Sequence, residues 1–169
     1  ERLFILLSFT EGAPETAHQG LRDMIAQAYW GSAGSITAAL RNAAAAANRV
    51  LVRANLSAEP GERFYANLVC ACLTGDDLFV LQAGSTAGAI LKQGFLEVLP
   101  PSDRRTPLGV TAVADVRLSH SSTGLRHTLL LTSPALTPPE DEQALRRMLW
   151  HMDVPGVLVS SHAPFTLGI

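Results

Sequence analysis

Apolar runs broken by short polar turns fill the middle of the chain. Residues 64–99 read FYANLVCACL, TGDD, LFVLQAG, STAG and AILKQGFLEVL in succession. Such β-favouring runs, with hairpin chemistry at Thr74-Gly75-Asp76-Asp77, predict a meander of adjacent antiparallel strands. Along the second run Leu78, Val80 and Gln82 point to one face, and Phe79, Leu81 and Ala83 to the other. Both sets are mostly apolar, so the sheet should be covered on both faces by further layers.

The flanking chain supplies candidates for those layers. Leu3 to Phe9 is a continuous apolar run and predicts a buried strand. Pro14 and Glu15 suit a first helical turn, and Ala17, Leu21, Ile25, Ala28 and Tyr29 follow at helical spacing until Gly31 to Gly34 ends the pattern. Ser35 can cap a second helix, from about Ile36 to Arg53, with Asn55 as its stop. Its apolar face is Ile36, Ala39, Leu40, Ala43, Ala47, Val50, Leu51 and Ala54, and Arg41, Arg49 and Arg53 lie on the other side. A polar linker spans residues 100–107. Strand material is expected at 110–114, 116–119 and 126–132, with a turn at 121–124. Thr137-Pro138-Pro139-Glu140 reads as a capping box opening a helix through Met152, and β-like runs follow at 157–160 and 165–169.

Composition narrows the function classes. The chain of 169 residues is read as a single domain, 1–169, with 47% apolar and 17% charged residues. Its net charge of −2 and the absence of a basic patch argue against nucleic acid as a partner. No apolar run approaches the roughly 20 residues of a membrane span, and residues 2–9 are too short for a secretory leader. Cys70 and Cys72, two residues apart on one strand face, are expected to stay reduced, which favours a cytoplasmic setting. The absent initiator Met fits either a processed chain or an excerpt of a longer one.

Local constellations of reactive side chains are weak. Gly84-Ser85-Thr86-Ala87-Gly88 is a poor nucleophile elbow, lying between two strands and not between strand and helix. His120 and His127 flank a turn and would face each other across a hairpin, but two histidines make a weak metal site. Asp76, Asp77 and Asp115 lie in turns, where solvated carboxylates are the ordinary finding.

Element order and several phrases together resemble the metal-dependent serine/threonine protein phosphatases of the PPM (type 2C) family. LFILLSFTEG, residues 3–12, resembles the strand leading into that family's Asp-Gly metal motif. AAANRVLVRANL, residues 45–56, resembles the end of its second long helix, and GDDLFVLQAGSTAGAILKQG, residues 75–94, its Gly-Asp-Ser-Arg stretch. Leu108-Gly109 matches the usual Leu-Gly after the linker, and LLLTSPAL, residues 129–136, the Ser-Asp-Gly segment. The resemblance implies an α+β fold, an αββα sandwich of two antiparallel sheets flanked by helix pairs, with the family's opening strand missing from the chain.

What the resemblance implies about chemistry turns on the departures. The family holds two Mg²⁺ or Mn²⁺ ions with carboxylates, and a bridging water attacks the phosphate. Here Ser85 stands at the Asp of Gly-Asp-Ser-Arg, Pro134 at the Asp of Ser-Asp-Gly, and Ala163 near the final Asp-Asn pair. Glu11-Gly12 stands at the first Asp-Gly, leaving at most one core carboxylate. The expectation is a pseudophosphatase that holds no metal or other cofactor and binds a protein partner or further copies of itself. Arg104 and Arg105 in the linker are candidate contacts to an acidic partner. The alternatives are a divergent Mg- or Mn-dependent hydrolase, with Glu11, Asp115 and His127 as its residues, and a small-ligand sensor using the vacated cleft.

Overall fold

The computed structural model describes residues 1–9, 13, 15–92, 95–99, 106–123 and 127–133. The expected helix at 137–152 and the runs at 157–160 and 165–169 lie outside these residues.

Strand β1 (Arg2–Phe9) is followed by helices α1 (Glu15–Trp30) and α2 (Ile36–Ser57) and a single 3-10 turn at Pro60–Glu62. Then come β2 (Ala66–Thr74), β3 (Asp77–Ala83), β4 (Ala87–Lys92), β5 (Phe95–Leu99), β6 (Arg117–Ser122) and β7 (Thr128–Thr132). The strands form two antiparallel sheets, a four-stranded one ordered β1-β2-β3-β6 and a three-stranded one ordered β5-β4-β7. The α+β expectation of two antiparallel sheets with helices against them holds.

The meander is corrected in one respect. β2 and β3 form the expected hairpin, closing at Thr74 and Asp77, but β3 and β4 do not pair. Gly84-Ser85-Thr86 carries the chain from one sheet to the other. The two faces of β3 divide as alternation requires: Leu81, Ala83 and Phe79 pack under the helices, and Leu78 and Val80 meet Ile90 and Leu99 of the second sheet. Cys70 and Cys72 share the helix-facing side, both fully buried and unbridged.

Ser35 caps α2 as expected, its Oγ accepting the Ala38 amide at 3.3 Å. Fully buried Ala43 and Ala47, one turn apart, let α2 lie close upon the sheet. The helix continues past the expected stop, because Asn55 is an interior position. Its amide nitrogen donates to the carbonyls of Phe64 (2.9 Å) and Gly109 (3.2 Å), and its oxygen accepts the Phe64 amide. Asn48, two turns earlier on the same face, accepts the Gly109 amide at 2.8 Å and donates to Thr111 O at 2.9 Å. These two asparagines bind residues 108–112 in loop form, which is why the strand expected at 110–114 is absent. The buried face of α2 is accordingly rotated: Asn48 and Asn55 are inside, whereas Val50 and Ala54 are exposed.

Candidate functional site

A ring of neutral polar groups closes one end of the sandwich, at the sheet-switching turn. Ser8 of β1 and Asn67 of β2 are direct register partners. Asn67 Nδ2 donates to Ser8 Oγ at 3.3 Å, and Ser8 Oγ lies 2.6 Å from Ser133 Oγ, just past β7. Ser133 Oγ donates to the Ser85 carbonyl at 3.3 Å, and the Ser85 amide donates back to Asn67 Oδ1 at 2.9 Å. With the Ser133 hydroxyl committed to Ser85, the Ser8 hydroxyl is the donor in the Ser8–Ser133 contact. Each hydrogen bond in the circuit then has one donor and one acceptor, and the ring joins β1, β2, the switch turn and the end of β7.

The turn's geometry depends on Gly84, which has φ +72°. A Cβ added there would come within 2.2 Å of Asn67 Oδ1, so the close approach of the turn to Asn67 requires glycine as much as the dihedral does. Next to the ring, Gln82 is fully buried between the sheets and donates to Thr86 O and Oγ1, each at 3.4 Å.

A charged cluster sits at the far end. Lys92 of β4 pairs with Glu97 of β5, and Ser121 of β6 donates to Glu97 Oε1 at 2.8 Å while accepting from Lys92 Nζ at 3.1 Å. The Lys92 and Ser121 hydrogen bonds hold the Glu97 carboxyl below the usual carboxylate range. Because Ser121 belongs to the other sheet, this cluster is a second inter-sheet tie.

Of the expected site residues, Ser85 lies in the ring; Glu11, Gly12, Pro134, Ala163, Arg104 and Arg105 lie outside the described residues. Asp115, whose Oδ2 accepts the Thr106 amide at 3.4 Å, precedes the Arg117 end of β6, whereas His127 acts on Glu97 near the Ser121 end. The proposed trio with Glu11 therefore does not bring these two together. The histidine pairing across a hairpin is also corrected, since β6 and β7 belong to different sheets. His120 instead stacks on Phe79, with ring centroids 4.6 Å apart, and contacts Asp77 at 2.7 Å. Ser8 and Asn67 escape a reading of the sequence alone. Their only signal is a lone polar residue near one end of an apolar strand.

Two antiparallel sheets, a helix pair laid on one of them and a sheet switch between β3 and β4 together decide the fold. It is the fold of the PPM-type serine/threonine phosphatases. The chain superposes on PppA, "a key regulatory component of T6SS in Pseudomonas aeruginosa", with TM-score 0.66 and 18% identity over 89% of this chain and 74% of that one. It matches the catalytic domain of phosphatase PstP in complex with two manganese ions with TM-score 0.61 and 18% identity, covering 77% of this chain and 66% of that one. Stp1 of Staphylococcus aureus gives TM-score 0.63 and 15% identity over 78% and 64%. No protein-family model and no curated protein sequence matches the chain.

The PPM fold raises the question of whether this corner fits a divalent pair. Mg²⁺ and Mn²⁺ bind through hard oxygen ligands, with carboxylates supplying compensating charge. The ring offers two hydroxyls, Ser8 donating to Ser133 and Ser133 to the Ser85 carbonyl, and one amide whose oxygen already holds a backbone N–H. Among the described residues no group of three or more His, Cys, Asp and Glu side chains is placed to hold a metal ion. The described ring does not fit the metal pair.

Proposed function

We propose that this chain is a noncatalytic PPM-fold domain, a pseudophosphatase that acts as a protein-binding or structural module. The observation that supports this reading is the closed ring of Ser8, Asn67, Ser133 and Ser85, whose hydrogen bonds are directed at one another. Aligned by the resemblance, Ser85 and Pro134 replace two metal-binding aspartates, Ala163 falls near a third, and Glu11 is the one acid retained. One carboxylate leaves most of the charge of two divalent ions uncompensated. Hydroxyls bound to one another supply neither a general base nor an activated nucleophile. In this reading the corner holds the sheets in place and the surface carries the function. Arg104 and Arg105 in the linker are contacts for an acidic partner, and the buried thiols suit a reducing, cytoplasmic compartment.

Calorimetric titration with Mn²⁺, paired with turnover of a generic aryl phosphate, tests the reading. Neither stoichiometric metal binding nor turnover is expected. Binding of two manganese ions per chain with metal-dependent hydrolysis would overturn it.

A further inference from the structure

An apolar groove of about 260 Å³ opens between the two helices. Phe9 and Phe64 are among the residues that line it. Leu21 and Met24 of α1 line one wall, and Val50 and Ala54 of α2 the other. Val50 is 43% exposed, so this apolar surface faces solvent. At the α1 edge a Cβ on Gly20 would meet nothing within 4 Å, so the groove is unobstructed there. Ala17 to Met24 runs along it for two helical turns, about 11 Å.

The two rims differ in charge. Going round α2 outward from the groove, Ala54 and Val50 are followed by Arg53 and Arg49, one turn apart and both exposed. Helix α2 carries no acidic residue, and among the described residues neither arginine has an ion pair. Going round α1 outward from Gly20, the next exposed positions are Thr16 and Gln27, which are neutral. Exposed Asp23 follows, as far round from Gly20 as Arg53 is from Val50, and keeps a 3.7 Å contact with Arg22 beside it. The groove therefore has a basic rim on α2, a helix with no acid, and an α1 rim whose exposed acid, Asp23, already contacts an arginine, on a chain whose net charge is −2.

We propose that this groove docks a short amphipathic helix of a protein partner, with apolar side chains at i and i+4 in the groove and acidic residues along the flank that meets Arg49 and Arg53. An apolar trough lined over two turns of α1 and one turn of α2 suits a short helix, and the basic rim selects its acidic flank and fixes its rotation. A membrane surface fits less well, because the apolar atoms line a hollow and do not form a raised face. The inference deepens the protein-binding reading by naming the chemistry of the partner. Metal-dependent turnover would overturn the noncatalytic reading and leave the groove standing; failure of docking would leave the noncatalytic reading standing.

The test uses a fluorescently labelled designed helical peptide with leucines four residues apart and glutamates along one flank. Two control peptides replace the leucines by serine or the glutamates by lysine. Anisotropy titrations are made against the full chain and against Arg49→Glu/Arg53→Glu, with circular dichroism confirming that the variant is folded. The glutamate peptide is expected to bind the parent, and to weaken as salt rises. The serine control should not bind. The double reversal should weaken the glutamate peptide by about tenfold or more and should strengthen the lysine peptide. Val50→Asp should weaken the glutamate peptide whatever the salt. No binding to the parent, binding indifferent to the reversal, or equal binding of the serine control would each overturn the proposal. So would capture of the parent, but not of the double reversal, by phosphatidylglycerol vesicles in the absence of peptide binding, which would make the face a membrane surface.

Discussion

The Asn67 side-chain oxygen accepts the backbone N–H of Ser85 at 2.9 Å across 18 residues of sequence. That bond fixes where the chain leaves one sheet and enters the other. The rest of the candidate site is arranged around it: Ser8 is paired opposite Asn67, and Ser133 is brought to both Ser8 and the Ser85 carbonyl. The bonds of this ring among the described residues run between neutral groups.

Asn67→Ala removes two bonds of the ring, the one from the Ser85 amide and the one to Ser8 Oγ. The expected loss is about 1–3 kcal/mol of unfolding free energy. Denaturant titration reads it directly, with an unchanged m-value confirming that the loss lies in the native state. Under the noncatalytic reading, Mn²⁺ leaves the midpoint of both proteins unmoved.

Gly84→Ala should cost more. Alanine at φ +72° is strained by about 1–2 kcal/mol, and its Cβ collides with Asn67 Oδ1, adding about 1–3 kcal/mol as overpacking. Gly20→Ala is the matched control, since it adds a methyl group to open space at a helical position and should be neutral or slightly stabilising. Equal melting temperatures for the two variants would contradict this account.

The helices, most strands and the two-sided burial of β3 are legible in the sequence, because each rests on local periodicity. The sheet switch is not legible: Gly84-Ser85-Thr86 has the same turn chemistry as a hairpin, and only the partners of β4 reveal the difference. The ring is hidden for a related reason, since Ser8 and Ser133 are 125 residues apart and neither belongs to a motif. Asn55 reads as a helix stop because asparagine commonly ends helices. Its actual role depends on Phe64 and Gly109, which sequence spacing alone does not place beside it.

Asn55→Ala should loosen Phe64 and the Gly109 carbonyl from α2, while Asn48 keeps its own hold on the loop. Three hydrogen bonds are lost at a position only 6% exposed, so a cost of about 1–3 kcal/mol is expected. Amide hydrogen exchange should quicken at Phe64, whose N–H loses its acceptor, more than in the β2–β3 hairpin or at Gly109, whose N–H is held by Asn48. Uniform acceleration across the chain would show that the asparagine supports the global fold without a special hold on this loop.

Cys70 and Cys72 should resist alkylation in the native protein. Cys70 is wholly buried, and burial pushes its thiol up to about 12, so the reactive thiolate is scarce at neutral pH. Burial also raises Cys72, which lies 2.9 Å from the Tyr29 hydroxyl. Mass spectrometry after iodoacetamide treatment should show neither labelled under native conditions and both labelled in denaturant. Rapid native labelling of Cys70 would contradict the burial described for β2.

Glu97 should give stability a specific dependence on acid. Hydrogen bonds from Lys92 and Ser121 lower its folded-state pKa, and the charges of Lys92 and His127 act in the same direction. The unfolded chain, with its ordinary glutamate pKa, therefore binds the proton first as pH falls. The contribution is complete above the usual carboxylate range, shrinks as pH drops below it, and is gone beneath the folded-state value. Glu97→Gln removes this titration while keeping a side chain of similar shape. Melting temperatures of the two proteins should be separated at neutral pH, with the parent higher, and should converge on the acid side. Curves that stay parallel through that range would show that the Lys92–Glu97–Ser121 tie between the sheets contributes nothing through its charge.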